Sequence, residues 1–120
     1  MSLTPIEVVT HNAATYTTPL YRCRVKGADL TGMDLLLTMR QGKNVIELTN
    51  EDFGCIDIDS QKMEALIAFN LTQEQSAGFV EGWPVKVQLN AIDPQGVRAA
   101  TNIAYTTFFE QLHKEVMPSA

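Results

Sequence analysis

The chain has 120 residues, which is the size of one domain. Nine lysine and arginine residues against fourteen aspartates and glutamates give a net charge of −5, which leaves no basic stripe for a nucleic-acid backbone or an anionic membrane. The apolar share of 45% is too high for a disordered chain, and the longest apolar runs are far too short to span a bilayer. We therefore expect one acidic globular domain with no nucleic-acid or membrane partner.

Alternating apolar and polar residues predict that most of the chain forms short β-strands. In the first of them Tyr21, Cys23 and Val25 share one face. Gly42 indicates a hairpin turn between the second and third strands, and Gly96 closes a tight turn before the last one. The predicted strands cover residues 21–26, 34–41, 45–48, 55–59, 63–70, 84–92 and 97–107.

Two segments do not follow the strand period. In residues 71–79, Thr72 is a candidate helix N-cap with Gln75 at the spacing of a capping box, and Gly78 is placed to end the helix. This pattern predicts a short helical corner between two strands. Residues 108–116 fit either a helix or a strand, and we favour a strand that continues past the body of the domain.

Seven or eight short strands separated by regular turns predict an all-β fold, an Ig-like antiparallel β-sandwich with one short helical corner. We expect a single domain over residues 1–120, with residues 1–14 as a leading segment and residues 108–120 as a C-terminal extension. A closed β-barrel is the alternative, because alternation does not fix closure. The predicted inner face comprises Val25, Leu37, Met39, Ile67, Phe69, Val87, Leu89 and Ile103.

The sequence contains no motif for a nucleotide, a catalytic nucleophile or a metal ion. Asp57 and Asp59 would point the same way on a strand, but the following residues do not continue a calcium-binding loop, so we interpret them as a solvated face. His11 and His113 have no triad partners. We predict no enzyme activity, no catalytic residue, no cofactor and no metal site.

The two cysteines and the single tryptophan are interpreted as packing residues. Cys23 and Cys55 both fall in predicted strands, and one bridge would not make a disulfide scaffold, so we expect both to be reduced and buried. Trp83 precedes the strand with the clearest alternation, and we predict that it lies in the core. The alternative for Trp83 is an exposed platform for a carbohydrate.

Several short motifs follow one another in a fixed order. They are Asp29-Leu30-Thr31, Arg40-Gln41-Gly42, Leu71-Thr72-Gln73-Glu74-Gln75 followed by Phe79, Val85-Lys86-Val87-Gln88-Leu89-Asn90, Gly96-Val97-Arg98 and Leu112-His113-Lys114-Glu115-Val116. Over roughly residues 15–117, their order and spacing resemble a family of small proteins encoded among the structural genes of phages and prophages. The architecture is also similar to the Ig-like N-terminal module of phage baseplate upper proteins.

The resemblance implies a non-catalytic structural or adaptor component of a phage or prophage particle, associated with the tail or baseplate. It implies synthesis in the bacterial host cytoplasm, localisation in the virion and other virion proteins as partners. Baseplate proteins carry further segments after this module, whereas this chain ends at Ala120, so we expect an adaptor or assembly role. The alternative function is a free-standing carbohydrate- or peptide-binding β-sandwich module.

The end of the chain indicates self-association. Residues 102–109 contain no charge and no proline, the features with which edge strands usually avoid pairing. We predict a homo-oligomer in which residues 105–116 pack on, or pair with, a neighbouring chain and bury Phe108 or Phe109. The alternative is that these aromatic side chains fill the domain's own core. The predicted contact residues are Tyr105, Phe108, Phe109, Leu112 and Val116.

Overall fold

A computed structural model of the chain describes residues 4–10, 13–27 and 29–118. These residues form nine β-strands, one short helix and one 3-10 turn. The strands are β1 (Thr4–Thr10), β2 (Leu20–Lys26), β3 (Asp34–Gln41), β4 (Asn44–Thr49), β5 (Cys55–Asp59), β6 (Glu64–Asn70), β7 (Pro84–Ile92), β8 (Arg98–Ala100) and β9 (Ala104–Thr107). The helix α1 spans Gln73–Ala77, and the 3-10 turn spans Asn50–Asp52.

The strands form two antiparallel sheets that enclose one core. The first sheet has the order β1-β2-β6-β5, and the second has the order β4-β3-β7, with β8 and β9 both paired to β7. This is the arrangement of Ig-like domains, in which an A-B-E-D sheet faces a C-F-G sheet. The two sheets share no strand among the described residues, so the predicted all-β sandwich is confirmed.

Strict alternation places the core between the sheets. Along β7, Val85, Val87, Leu89 and Ala91 are each at most 1% exposed, while the residues between them face outward. Seven of the eight predicted inner-face residues are buried, namely Val25, Leu37, Met39, Ile67, Phe69, Val87 and Leu89. The exception is Ile103.

Ile103 is on the outside because the last predicted strand is broken. At the break, the Thr101 hydroxyl accepts the Leu89 N–H at 3.1 Å, while the Thr101 N–H donates to the Leu89 carbonyl at 2.9 Å. The Thr101 side chain thus takes the place of a backbone carbonyl in the hydrogen-bond ladder beside β7. The alternation of inward and outward side chains shifts by one residue before β9 begins. Ile103 is therefore 42% exposed, whereas Thr106 takes an inner position. This break and the additional strand β1 raise the count from the seven predicted segments to nine strands among the described residues.

The helical corner is built as the sequence predicts. The Thr72 hydroxyl accepts the Gln75 N–H at 3.1 Å, and the Gln75 side chain accepts the Thr72 N–H at 2.9 Å, which completes a capping box. Gly78 ends the helix in a right-handed conformation, with φ of −73°. The corner therefore turns the chain from β6 towards β7 within a few residues.

The cysteine prediction is half right. Cys23 faces the core of the first sheet and is fully buried, but Cys55 begins the edge strand β5 and is exposed. Cys55 lies opposite Ala68, which in turn pairs with Arg22, so all three occupy the outer face. Both thiols are free.

Two terminal boundaries differ from those expected. Residues Thr4–Thr10 of the leading segment form β1 and pair with β2, so they belong to the sandwich. His11 and the last two residues of the C-terminal extension lie outside the described residues. None of the helices in the described part of the chain has the length and apolar character needed to cross a membrane.

Candidate partner interface

Phe108 belongs to the domain's own core. It is fully buried, and its ring stacks on Phe79 with centroids 5.0 Å apart and leans against Tyr21 at 6.3 Å. Its carbonyl accepts the N–H of Gly82 at 2.9 Å, which holds the end of β9 beside the start of β7. Phe108 therefore presents no surface to a partner, and the prediction of a contact role is wrong for this residue.

The other four predicted contact residues are at the surface. Leu112 is 91% exposed, Phe109 64%, Tyr105 60% and Val116 44%. Tyr105 lies on β9 opposite Lys86, on the outer face of the second sheet. Their exposure leaves them accessible to a partner.

The chain after β9 is neither the predicted strand nor a helix. Phe109 makes one isolated parallel bridge with Ala14, in which its N–H donates to the Ala13 carbonyl at 2.8 Å. Beyond this bridge, residues 110–118 have no regular secondary structure. Because the Phe109 N–H is already used within the chain, a partner would pack on the Phe109 side chain rather than pair with its backbone.

Glu81 fastens the first part of this segment. Its carboxylate accepts the Gln111 N–H and forms an ion pair with the Lys114 ammonium at 2.9 Å. The hydrogen bond from Lys114 lowers the pKa of Glu81, and the same bond raises the pKa of Lys114. Gln111 adds a side-chain bond to the Thr15 carbonyl at 3.2 Å.

Gln73 of α1 fastens the last part. Its side-chain carbonyl accepts the Met117 N–H at 2.7 Å, and its amide donates to the Met117 carbonyl at 3.0 Å. One side chain therefore satisfies both backbone groups of Met117, as a neighbouring strand would. The C-terminal segment is held through its backbone, which leaves Leu112 and Val116 facing solvent.

Gln41 makes a similar double contact with the loop that precedes β7. Its side chain accepts the Val80 N–H at 2.6 Å and donates to the carbonyls of Val80 at 3.0 Å and Trp83 at 3.2 Å. The Val80 and Trp83 side chains are 55% and 66% exposed. The prediction of a core tryptophan is thus wrong, because Phe79 and Phe108 fill the core beside Gly82 instead.

These contacts bring the backbones that carry four exposed apolar side chains to one end of the sandwich, and we call this set of residues the end surface. Its members are Val80, Trp83, Phe109 and Leu112. The bonds from Gly82 to Phe108 and from Gln111 to Glu81 bring their backbones together. Clustered exposed apolar side chains with polar neighbours are typical of protein–protein interaction sites.

Of the two aspartates considered for calcium, Asp59 has a structural role. Asp59 accepts the N–H groups of Gln61 and Lys62, both at 3.1 Å, and so closes the turn after β5. Among the described residues, no group of three or more histidine, cysteine, aspartate or glutamate side chains could hold a metal ion. His113 is exposed on the C-terminal segment.

The sequence did not reveal the residues that shape the end surface. Gln41, Gln73 and Glu81 each contact backbone groups more than 25 positions away along the chain. No local pattern distinguishes them from other polar surface residues, because the distant backbone segments are brought together only by the sandwich.

The family-model comparison gave no match, nor did the comparison with curated protein sequences.

Proposed function

We propose that the chain is a non-catalytic structural or adaptor component of a phage or prophage particle, associated with the tail or baseplate. The ordered motifs that resemble small phage structural proteins support the particle assignment. The observation that carries the adaptor role is the end surface, where Trp83, Phe109 and Leu112 are each at least 64% exposed. Such side chains provide the apolar area that a protein partner buries.

The expected partners are other virion proteins and further copies of the same chain. The backbone contacts made by Gln73 and Glu81 hold the C-terminal segment in place before a partner arrives. A held segment loses less conformational entropy on binding than a free tail would, so its apolar side chains contribute more to affinity. Synthesis in the host cytoplasm and incorporation into the virion follow from this role.

The particle assignment is tested by fractionation. Cultures of the encoding strain are induced, particles are purified on a density gradient, and the chain is quantified by mass spectrometry beside known particle proteins. We expect the chain to be present in particles at a fixed ratio to those proteins. Recovery only among unassembled host proteins would contradict the proposal.

A free-standing carbohydrate- or peptide-binding module is the second candidate, and the exposure of Trp83 favours it. A tryptophan that is 66% exposed beside a sheet can stack on a sugar ring. Glycan-array binding that is lost in Trp83→Ala would support this function over the first. The end surface would then be a ligand site rather than a site of assembly.

A further inference from the structure

A polar groove crosses the outer face of the second sheet. It has a volume of about 250 Å³ and is lined by residues of β3, β7 and β8, with Ile103 at one side. Thr38 and Gln88 lie opposite each other within it, and both are half-buried. The lining therefore offers one hydroxyl group, from Thr38, and two amide groups, from Gln88 and Asn90.

Two cationic side chains of the groove are placed where their mutual repulsion lowers the stability of the sheet. Arg40 on β3 and Lys86 on β7 lie directly opposite each other, and like charges at such positions destabilise a sheet. Among the described residues, neither forms an ion pair with a carboxylate. Glu47 pairs with Thr38 and is therefore diagonal to Arg40 in the register. Two unpaired cations side by side are suited to an anionic ligand.

A third cation stands further along the groove. The Asn90 side-chain carbonyl accepts the Arg98 Nε–H at 3.1 Å, which orients the guanidinium beside the groove. Lys86 and Asn90 are four residues apart on β7, which corresponds to about 13 Å along a strand. The Gln88 amide donates to the Thr101 carbonyl at 2.8 Å, so its own carbonyl oxygen is fixed between the cations. The groove thus has two positive positions with a polar floor between them.

We propose that this groove binds an acidic polysaccharide of the uronic-acid class. The sugar carboxylates would pair with Arg40 and Lys86 at one position and with Arg98 at the other. Ring hydroxyls would bond to Thr38 and Gln88. Tyr105, which is 60% exposed and lies opposite Lys86, offers an aromatic face to a sugar ring.

The backbone disfavours a peptide as the occupant. The groove lies over β3 and β7, and both are interior strands whose backbones pair with neighbours on either side. A peptide therefore could not add a strand there, which is the usual source of affinity for extended peptides on sheets. Hydroxyl and amide side chains suit a sugar without requiring main-chain pairing.

The test compares three ligands by isothermal titration calorimetry. These are oligogalacturonate, its fully methyl-esterified form, which keeps the sugar rings but lacks the charges, and poly-L-glutamate. We expect binding of oligogalacturonate that weakens with salt, and no binding of the other two. Equal binding of poly-L-glutamate would overturn the proposal, because it would show recognition of charge alone. Absence of oligogalacturonate binding would also overturn it.

Variants locate the site. Arg40→Ala with Lys86→Ala is expected to weaken oligogalacturonate binding by about fivefold or more, as loss of two exposed ion pairs would. The control, Arg22→Ala with Lys62→Ala, removes the same charge from exposed positions elsewhere and should bind as the parent does. Equal weakening of oligogalacturonate binding in both double variants would show that the groove is not the binding site. Loss of binding in Trp83→Ala alone would show the same.

Glu47→Gln provides a test in the opposite direction. It removes the acidic side chain diagonal to Arg40 without altering the groove, so oligogalacturonate should bind more tightly. Unchanged or weaker binding in this variant would contradict an electrostatic role for Arg40.

Discussion

Phe79 and Phe108 stack in the core with ring centroids 5.0 Å apart and an interplanar angle of 16°. One ring follows α1 and the other follows β9, so the pair joins the helical corner to the last strand of the second sheet. The C-terminal segment thus begins at a core residue. Its apolar side chains reach the surface only from Phe109 onward.

Phe108→Ala should lower the free energy of unfolding by about 3–5 kcal/mol, the usual cost of removing a buried phenylalanine ring. Phe109→Ala should change it by less than about 0.5 kcal/mol, because that ring is at the surface. Urea denaturation followed by circular dichroism measures both. Similar losses in the two variants would show that Phe109 also packs in the core.

Thr101→Val should destabilise the domain by about 1–3 kcal/mol, because the Leu89 N–H would be buried without an acceptor. Thr101→Ser keeps the hydroxyl and is the control. Amide hydrogen exchange should accelerate at Leu89 in the valine variant and stay near the parent rate in the serine variant. An unchanged rate in Thr101→Val would show that the hydroxyl does not hold the break between β8 and β9.

This break marks the limit of what alternation can predict. Residues 84–92 alternate between apolar and polar side chains, and the observed strand β7 has the predicted bounds. The prediction succeeds there because every second side chain packs against the opposite sheet. Over residues 97–107 the same pattern misplaces Ile103, because a Thr101 hydroxyl enters the ladder. The sequence also predicts a buried Trp83, and this prediction fails because a distant residue takes the position. Phe108 fills the end of the core beside Gly82, so Trp83 lies at the surface.

Arg40→Gln should stabilise the protein by about 0.2–1 kcal/mol, because it removes the repulsion from Lys86 across the two strands. Lys62→Gln, at an exposed site after β5, is the control and should have little effect. Chemical denaturation at low ionic strength gives both values, and added salt should reduce the difference. Destabilisation by Arg40→Gln would contradict the repulsion.

The first part of the C-terminal segment, around Gln111, should be released in acid. A carboxyl group whose folded pKa is below its unfolded value stabilises the fold above the unfolded value, and this contribution is lost as pH falls through the folded pKa. The hydrogen bond from Lys114 lowers the pKa of Glu81, so Gln111 amide protection should persist at neutral pH and disappear as Glu81 protonates.

Hydrogen exchange measured by NMR across the acid range tests this release. Glu81→Ala, which removes the acceptor, should expose the Gln111 amide already at neutral pH, whereas Glu115→Ala, at an exposed position, should not. Protection of Gln111 that is independent of Glu81 would contradict the role of this carboxylate.

The two thiols should differ in reactivity. Burial raises the pKa of Cys23 to about 12, so almost no thiolate forms at neutral pH, whereas Cys55 is exposed. Iodoacetamide should label one cysteine in the native protein and two after denaturation. Peptide mapping should place the native label on Cys55. A label on native Cys23 would show that this core position opens readily.

The end surface as a protein interface is the central claim, and multi-angle light scattering of Phe109→Ser with Leu112→Ser tests it most directly. Truncation before Phe108 would remove a core residue, so surface substitutions are the cleaner change. We expect the parent to have a mass that is a multiple of 13.3 kDa and rises with concentration, and the double variant to stay folded at 13.3 kDa. A parent that is monomeric at every concentration, or a folded double variant with the parent's oligomeric mass, would contradict the claim.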